Sequence, residues 1–365
     1  MNRRHILIGG GGLLALGAGA TGLAARQMGS ASDYADAAKA MRAILPPSPQ
    51  VSELIRYATL APNGHNTQPW RFEIAPGLIT IHPDFTRRTP VVDPDDHHLF
   101  VSLGCAAENL ALAAAARGRQ GEPVFGDAGA GSIAFAHHPA PGEASALFHA
   151  IPARQSTRAR FDGRAVSRTV LRTLTEAGRS PDVDLILITN RPMMDKIRDL
   201  VVAGNSAQLA DPAFVSELKS WVRFNPRQAL RTGDGLYSAA TGAPALPDWL
   251  GALAFEQLVT AKSENDKYAR HIRSSAGIAV FVARREDPAH WAAVGRACQR
   301  FALQATALGL KHAFINQPVE APALRPELAA LVGLPGRRPD VVMRFGHGAL
   351  LPYSPRRPVA EVIFA

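Results

Sequence analysis

The sequence predicts an α+β fold made of two related halves, and three observations carry the prediction. Helix-like and strand-like runs are mixed along the chain without the regular alternation that builds a doubly wound parallel sheet. The 365 residues are 47% hydrophobic and 19% charged, which supplies ample core and excludes a disordered or collagen-like chain. At roughly 150 residues per domain, that length suits two domains or two halves. Finally, a helical segment recurs. Gly104-Cys105-Ala106-Ala107-Glu108-Asn109-Leu110-Ala111-Leu112, continuing to Gly118, aligns with Gly295-Arg296-Ala297-Cys298-Gln299-Arg300-Phe301-Ala302-Leu303, continuing to Gly309. Both segments are low in bulk, which suits two helices packed closely at the centre of a duplicated fold.

The elements follow in order. Residues 1–30 read as an export leader: Arg3-Arg4 with Ile6-Leu7, then an uncharged Gly/Leu/Ala-rich run to Ala25 containing Ala18-Gly19-Ala20. This is similar to a twin-arginine signal, with an N-terminal anchor as the alternative. Gly17-x-Gly19-x-x-Gly22 and Gly10-x-Gly12-x-x-Ala15 match a dinucleotide fingerprint. They lack the strand before, the helix after and the distant acid that give that motif meaning. Ser32 to Leu45 reads as a polar helix stopped at Pro46-Pro47. Val51 to Ala61 has apolar residues at helical spacing and stops at Pro62.

Trp70 to Ile81 reads as a hairpin around Pro76-Gly77. Asp93-Pro94-Asp95-Asp96 offers cap-type residues before a long Ala-rich helix, His97 to Arg117, ended by Gly118. Residues 184–189, 277–284 and 340–345 read as buried strands, with helices around 195–202 and 291–308. The stretch 205–253, rich in Gly, Pro and aromatics, has no clear period and reads as a lid. The expected division is a leader (1–30), a first half (31–150) and a second half (151–365).

Two segments carry candidate chemistry. Ala61-Pro62-Asn63-Gly64-His65-Asn66-Thr67-Gln68-Pro69-Trp70 is a helix end, a polar loop and a strand start. Asn63, Asn66 and Gln68 offer amide donors and acceptors suited to a planar heterocycle such as a flavin, or to self-capping Asx turns. Arg154-Gln155-Ser156-Thr157-Arg158 offers guanidinium and hydroxyl donors in a phosphate-binding pattern. An ordinary basic loop, RNA or a lipid phosphate remain open for it. Pro355-Arg356-Arg357-Pro358 is a weaker basic signal near the C terminus.

Taken together, these segments resemble the nitroreductase family of FMN-binding proteins, over most of the chain from about residue 50. The Ala-Pro-x-x-x-Asn-x-Gln-Pro-Trp loop, the Arg-x-Ser-x-Arg segment, Ala307-Leu308-Gly309-Leu310 and Arg356-Arg357-Pro358-Val359 carry the likeness. Asn316-Gln317-Pro318 and Arg344-Phe345-Gly346-His347-Gly348 are similar to the Acg-type branch of tandem, partly degenerate copies. The motif order departs from ordinary members, in which the arginine segment precedes the loop. Here the loop lies in the first half and the arginine segment in the second, and each lacks its second copy. The resemblance therefore implies a tandem nitroreductase-like fold, an intrachain pseudo-dimer with one intact FMN site. It implies that Arg154, Ser156, Arg158 and Arg356 hold the phosphate side, with Asn63, Asn66 and Gln68 meeting the cofactor from the other half. Arg357 is a further candidate, and the family often has Ser where Asn63 stands.

The implied activity is FMN-dependent reduction of an electrophilic small molecule, with NAD(P)H as a possible donor and no assigned catalytic acid or base. The alternative is a flavin-sequestering protein with little turnover. Part of the net charge of +9 lies in the leader pair Arg3-Arg4 and part in the phosphate arginines Arg154, Arg158 and Arg356, and no dense basic stretch points to nucleic acid. Two cysteines give no disulfide framework, and Cys105 and Cys298 read as buried. Asp95, Asp96, His97 and His98 include metal-ligand types, but helix neighbours point apart and the acids suit an N-cap, so no metal is expected. His137-His138 reads as part of a loop.

Overall fold

The computed structural model describes residues 28–127 and 129–364. The leader expected over residues 1–30 falls almost wholly outside them. Eleven strands are present among the described residues. In the first half they are β1 (Trp70–Ala75), β2 (Leu78–Pro83), β3 (Arg119–Gly126) and β4 (Ser132–Pro139). Next come β5 (Val183–Ile188) and the two-residue β6 (Val222–Arg223) and β7 (Leu236–Tyr237). The last four are β8 (Gly277–Ala283), β9 (Lys311–Phe314), β10 (Val341–Gly346) and β11 (Ile363–Phe364). They form a five-stranded sheet in the order β11-β1-β2-β4-β3, a four-stranded sheet in the order β5-β8-β10-β9, and a short β6-β7 pair. The mixed helix-and-sheet class follows the expectation.

The two large sheets differ in burial, and the sequence explains why. β8 reads Gly-Ile-Ala-Val-Phe-Val-Ala and is buried along its whole length. One face packs on the main core through Ala279 and Phe281, the other on a second cluster through Ile278, Val280 and Val282. A strand covered on both faces needs no polar alternation. β2 instead alternates, burying Ile79 and Ile81 and turning the residues between them outward. β11 comes from the end of the chain and lies parallel to β1, Ile363 opposite Phe72. The C terminus thus completes the sheet of the first half.

At the centre lie the helices His97–Ala115 and Pro288–Ala307. A Cβ on Gly104 would sit 2.0 Å from the Ala292 carbonyl oxygen, and one on Gly295 2.0 Å from that of Val101. The two aligned glycines are therefore each the point where the other helix's backbone comes closest. Only a residue without a side chain permits that approach.

Some expectations are corrected. Residues 205–253 are largely helical: the helix Arg191–Ala210 closes, then Pro212–Trp221, Pro226–Thr232 and Asp248–Leu258 follow. These helices are short and punctuated by Pro and Gly, with Asp211 and Asn225 as side-chain caps, so no long period builds up. His137 and His138 lie in β4 rather than a loop. The cap of the first central helix is Asp93, whose carboxylate accepts from the backbone N–H groups of His98 and Leu99 at 3.0 Å each. Asp96 precedes that helix with a positive φ and makes no side-chain cap bond.

Candidate functional site

The loop after the helix Val51–Thr59 is conformationally strained. His65, Asn66 and Gln68 have φ of 44°, 55° and 56°, values that non-glycine residues adopt only when their surroundings impose them. Here the constraints come from distant chain segments. Asn63 Oδ1 accepts from the Gln68 N–H at 2.8 Å. Asn66 Nδ2 donates to the carbonyls of Gly235 (3.0 Å) and Pro355 (3.1 Å). Gln68 Nε2 donates to the Gly233 carbonyl at 2.8 Å, and its Oε1 accepts from the Arg357 N–H at 2.9 Å. Segments 233–235 and 355–357 thus clamp the loop.

Beside this loop is a small, partly open cavity lined by Arg42, Asn63, Asn66, Arg154, Ser156, Arg158, Tyr353 and Arg356, among others. Six of the eight residues expected from sequence meet there. Gln68 and Arg357 do not: Gln68 is fully buried with its amide engaged as above. The Arg357 guanidinium faces Asp84 and Glu361. Both tie the loop to distant segments from behind, while the bond within the loop that fits the self-capping alternative is the one Asn63 Oδ1 accepts from the Gln68 N–H.

Among the described residues lining this cavity, none is acidic and four are arginines. Arg154 is buried; Nη2 donates to the Leu60 carbonyl at 2.8 Å, Nη1 makes a long 3.4 Å bond to Ser156 Oγ, and Nε has no partner. Burial pushes its guanidinium down from the ordinary 12.5 to about 10. Burial likewise lowers Arg158. Unneutralised buried guanidiniums are costly, so the arrangement calls for an anion.

Arg356 differs from its neighbours. Nε donates to the Thr59 carbonyl at 2.5 Å, Nη2 to Leu60 (3.2 Å) and Ala61 (3.1 Å), and Nη1 to Asn66 Oδ1 (2.9 Å) and Pro355 O (2.8 Å). All five N–H groups are thus satisfied, three of them at the end of the helix Val51–Thr59. Arg356 was expected to offer donors to a phosphate; it lends the cavity its charge while acting as a helix and loop clamp.

Arg42 is the residue sequence reasoning missed. It follows the helix Ala31–Met41 and lies in none of the motifs that marked the other site residues. Its guanidinium nevertheless reaches the cavity, 3.9 Å over the Tyr353 ring. No local signal marks it, because its placement depends on how that helix docks.

Pro62, Asn63, Arg158 and Leu236 also line a second cavity of about 220 Å³. Its floor is the first central helix at Val101, Ser102 and Cys105; Gly64 and His65 form one side, and Phe214, Leu218 and Val259 cover it. Burial drives His65 down to about 4, with Arg158 adding repulsion, so the ring is neutral. Glu320 lies at the same cavity, its carboxyl raised by burial and held by Gln208 Nε2 at 2.6 Å. A polar anion pocket opening on a larger, partly apolar chamber can hold a ligand with a phosphate at one end and a flat ring system at the other.

The metal-type residues do not form a free ligand set. Asp93, His97 and His98 lie together, but Asp93 caps the helix and His97 Nε2 is bonded to Asp340 Oδ1 at 2.8 Å.

No family model matches the chain. Rv3131 of Mycobacterium tuberculosis strain H37Rv, named as a candidate NAD(P)H nitroreductase, is 25% identical over 339 residues, covering 89% of this chain and 94% of the relative. MT3217 of strain CDC 1551, named likewise, matches to the same extent. Solved structures with partial likeness include a nitroreductase with bound FMN from Desulfitobacterium hafniense. It has a TM-score of 0.36 and 17% identity, covering 59% of this chain and 94% of that one. The FMN-dependent nitroreductase NfnB from Mycobacterium smegmatis, in complex with NADPH, has a TM-score of 0.38 and 14% identity, covering 56% and 87%. The chain is thus similar along nearly its whole length to relatives named for NAD(P)H-dependent nitroreduction.

Proposed function

We propose that this chain is an FMN-dependent oxidoreductase of the nitroreductase type, a single-chain pseudo-dimer with one cofactor site. The observation that carries the reading is the acid-free, four-arginine cavity opening onto the larger chamber. The residues fit FMN: buried guanidinium N–H groups of Arg42 and Arg154 lack partners, and a phosphate satisfies such donors. Arg154, Arg158 and Ser156 would hold the phosphate, while Asn63, Gly64 and His65 border the chamber for the ring system. When bound, the flavin supplies two-electron chemistry between a reduced donor and an electrophilic acceptor. The protein's residues bind, orient and exclude water; none is assigned as acid or base. The names of the mycobacterial relatives support NAD(P)H as donor.

The reciprocal glycine contact supports the pseudo-dimer, as does a site built from the loop of residues 31–150 and the arginines of 151–365. We further propose that residues 1–30 are a twin-arginine leader directing folded, flavin-loaded protein to the cell envelope. Arg42 lies beyond that leader and would remain in the mature chain.

Purified protein should show flavin absorption or acquire it on incubation with FMN, with on the order of one flavin per chain. Colourless protein that takes up none refutes the proposal. One observation favours the sequestering alternative: Asn205, Leu209, Phe214, Leu218 and Val259 cover the chamber. Anaerobic mixing with NADH or NADPH separates the two, since prompt bleaching requires an accessible flavin and sequestration predicts none.

A further inference from the structure

We infer that Arg42 is an anion-binding residue of this site and that its helix, Ala31–Met41, is a latch closed by the cofactor phosphate; the inference rests on the FMN reading above. The helix buries little of its own surface, although Arg56 Nη1 donates to the Met41 and Ala43 carbonyls at its end, at 2.8 and 3.0 Å. Its one buried side chain, Tyr34, belongs to a small cluster with Ala229, Tyr237 and Ala240, separate from the main core. Tyr34 OH donates to the Tyr353 carbonyl at 2.5 Å, which ties the helix to the segment bearing Arg356.

At the end of the helix, Arg42 Nη1 makes one long bond, 3.4 Å, to the Ala38 carbonyl. Its Nε is buried without a partner. A residue serving only to cap its helix would satisfy its donors on the last carbonyls. Arg42 instead turns its guanidinium over Tyr353 into a cavity already holding Arg154, Arg158 and Arg356. With no anion present, three like charges oppose its docking; a phosphate dianion reverses the sign of that term. Burial, with repulsion from Arg154 added, lowers Arg42 to about 10. Phosphate binding and helix docking therefore favour each other, and by linkage each strengthens the other equally. The next residues, Ala43 and Ile44, are exposed, Ile44 by 85%, and nicking after Arg42 requires that this end come free of Arg56 as well, so the bond after Arg42 reports on undocking of the whole latch.

The test uses the purified chain, with FMN and riboflavin as probes. Flavin fluorescence titrations compare the parent with Arg42→Met, Arg42→Lys and Arg154→Met. Trypsin nicking after Arg42 is followed by fragment mass with and without each flavin. Losing one charge-assisted contact predicts about 10- to 100-fold weaker FMN binding for Arg42→Met. Riboflavin affinity should stay unchanged and Arg42→Lys should recover part of the loss. FMN, and not riboflavin, should slow nicking after Arg42. Unchanged FMN affinity in Arg42→Met overturns the inference, as does an equal loss for both flavins or nicking indifferent to FMN. If the parent binds no FMN, or Arg154→Met binds it like the parent, the underlying FMN reading fails instead.

Discussion

Replacing Arg154 by Met should weaken FMN binding while leaving the ligand-free protein at least as stable, an unusual pairing for a buried residue. Arg154 is 3% exposed, and burial lowers its guanidinium from 12.5 to about 10. A lowered basic group disfavours its charged form in the folded state, so the penalty is present at every pH below about 10. At 1.36 kcal/mol per unit this is about 3 kcal/mol. Against it stands the loss of the 2.8 Å bond to Leu60, roughly 1–2 kcal/mol. The net expectation is a gain on the order of 1 kcal/mol without FMN. With FMN, losing two charge-assisted contacts costs about 3–6 kcal/mol, or roughly 10²- to 10⁴-fold in affinity. Calorimetric unfolding with and without FMN reads both quantities. Arg356→Met is the contrast: its five satisfied donors include three on one helix end. Its loss should destabilise the ligand-free protein by about 3 kcal/mol or more. If Arg154→Met loses about 2 kcal/mol without FMN, Arg154 is a clamp of the same kind and the anion argument is wrong.

Three further outcomes follow from the structure. Gly295→Ala places a Cβ 2.0 Å from the Val101 carbonyl; neither backbone can yield cheaply, so thermal unfolding should reveal a loss of several kcal/mol, about 3 or more. At Gly64 a Cβ meets nothing within 4 Å and φ is not left-handed, while the residue lines the large chamber. Gly64→Val should therefore keep its melting temperature and lose flavin affinity by about tenfold or more through occlusion; unchanged flavin titration would count against the chamber as the ring site. Asp340 and His97 form a buried pair in which burial raises the acid to about 7 and lowers the imidazole well below 6.5. A raised acid loses stability as pH climbs from about 4 to 7; a lowered imidazole gains it up to about 6.5. The two slopes oppose, so the parent should be nearly flat there. Asp340→Asn should uncover a stability that rises with pH in denaturant titrations, and an unchanged profile would show that the pair is not neutral.

Much of this was legible in the sequence, for identifiable reasons. β8 is an unbroken apolar run and β10 one interrupted only by the buried Arg344, because both faces are covered, and such runs survive as local signals. The recurring glycines, Gly104 and Gly295, marked the helix crossing because close backbone approach tolerates no side chain. β3 and β4 were missed because Gly121, Pro123 and the His137-His138 pair break the strand pattern, although the two strands pair along eight residues. Within the site, sequence adjacency misled in both directions. Gln68 and Arg357 sit inside motifs, yet they bond to each other and to neighbouring loops. Arg42 belongs to no motif, and reaches the cavity only through the docking of its helix. Donor saturation, which separates Arg356 from Arg154, is a tertiary property with no counterpart in residue type.

The proposed pseudo-two-fold has one more consequence, for stoichiometry. If Gly104 and Gly295 are equivalent, the residues after them, Cys105 and Arg296, occupy equivalent places on opposite sides of the crossing. Cys105 is small and lines the large chamber. Arg296 instead donates from Nε to Glu108 Oε2 at 2.9 Å and reaches Glu122 at 2.6 Å. Arg300 closes on the same Glu108 oxygen at 3.0 Å. The space that a chamber would need is thus filled by a partly buried ion network with fixed partners on both sides. Removing Glu108 alone would leave Arg296 and Arg300 short of a counter-charge, a costly step rather than an opening. One flavin per chain is therefore expected from released FMN against protein concentration, and the ratio should stay there at saturating FMN. Two flavins per chain would show that this network yields to a ligand, and that the second site was never lost.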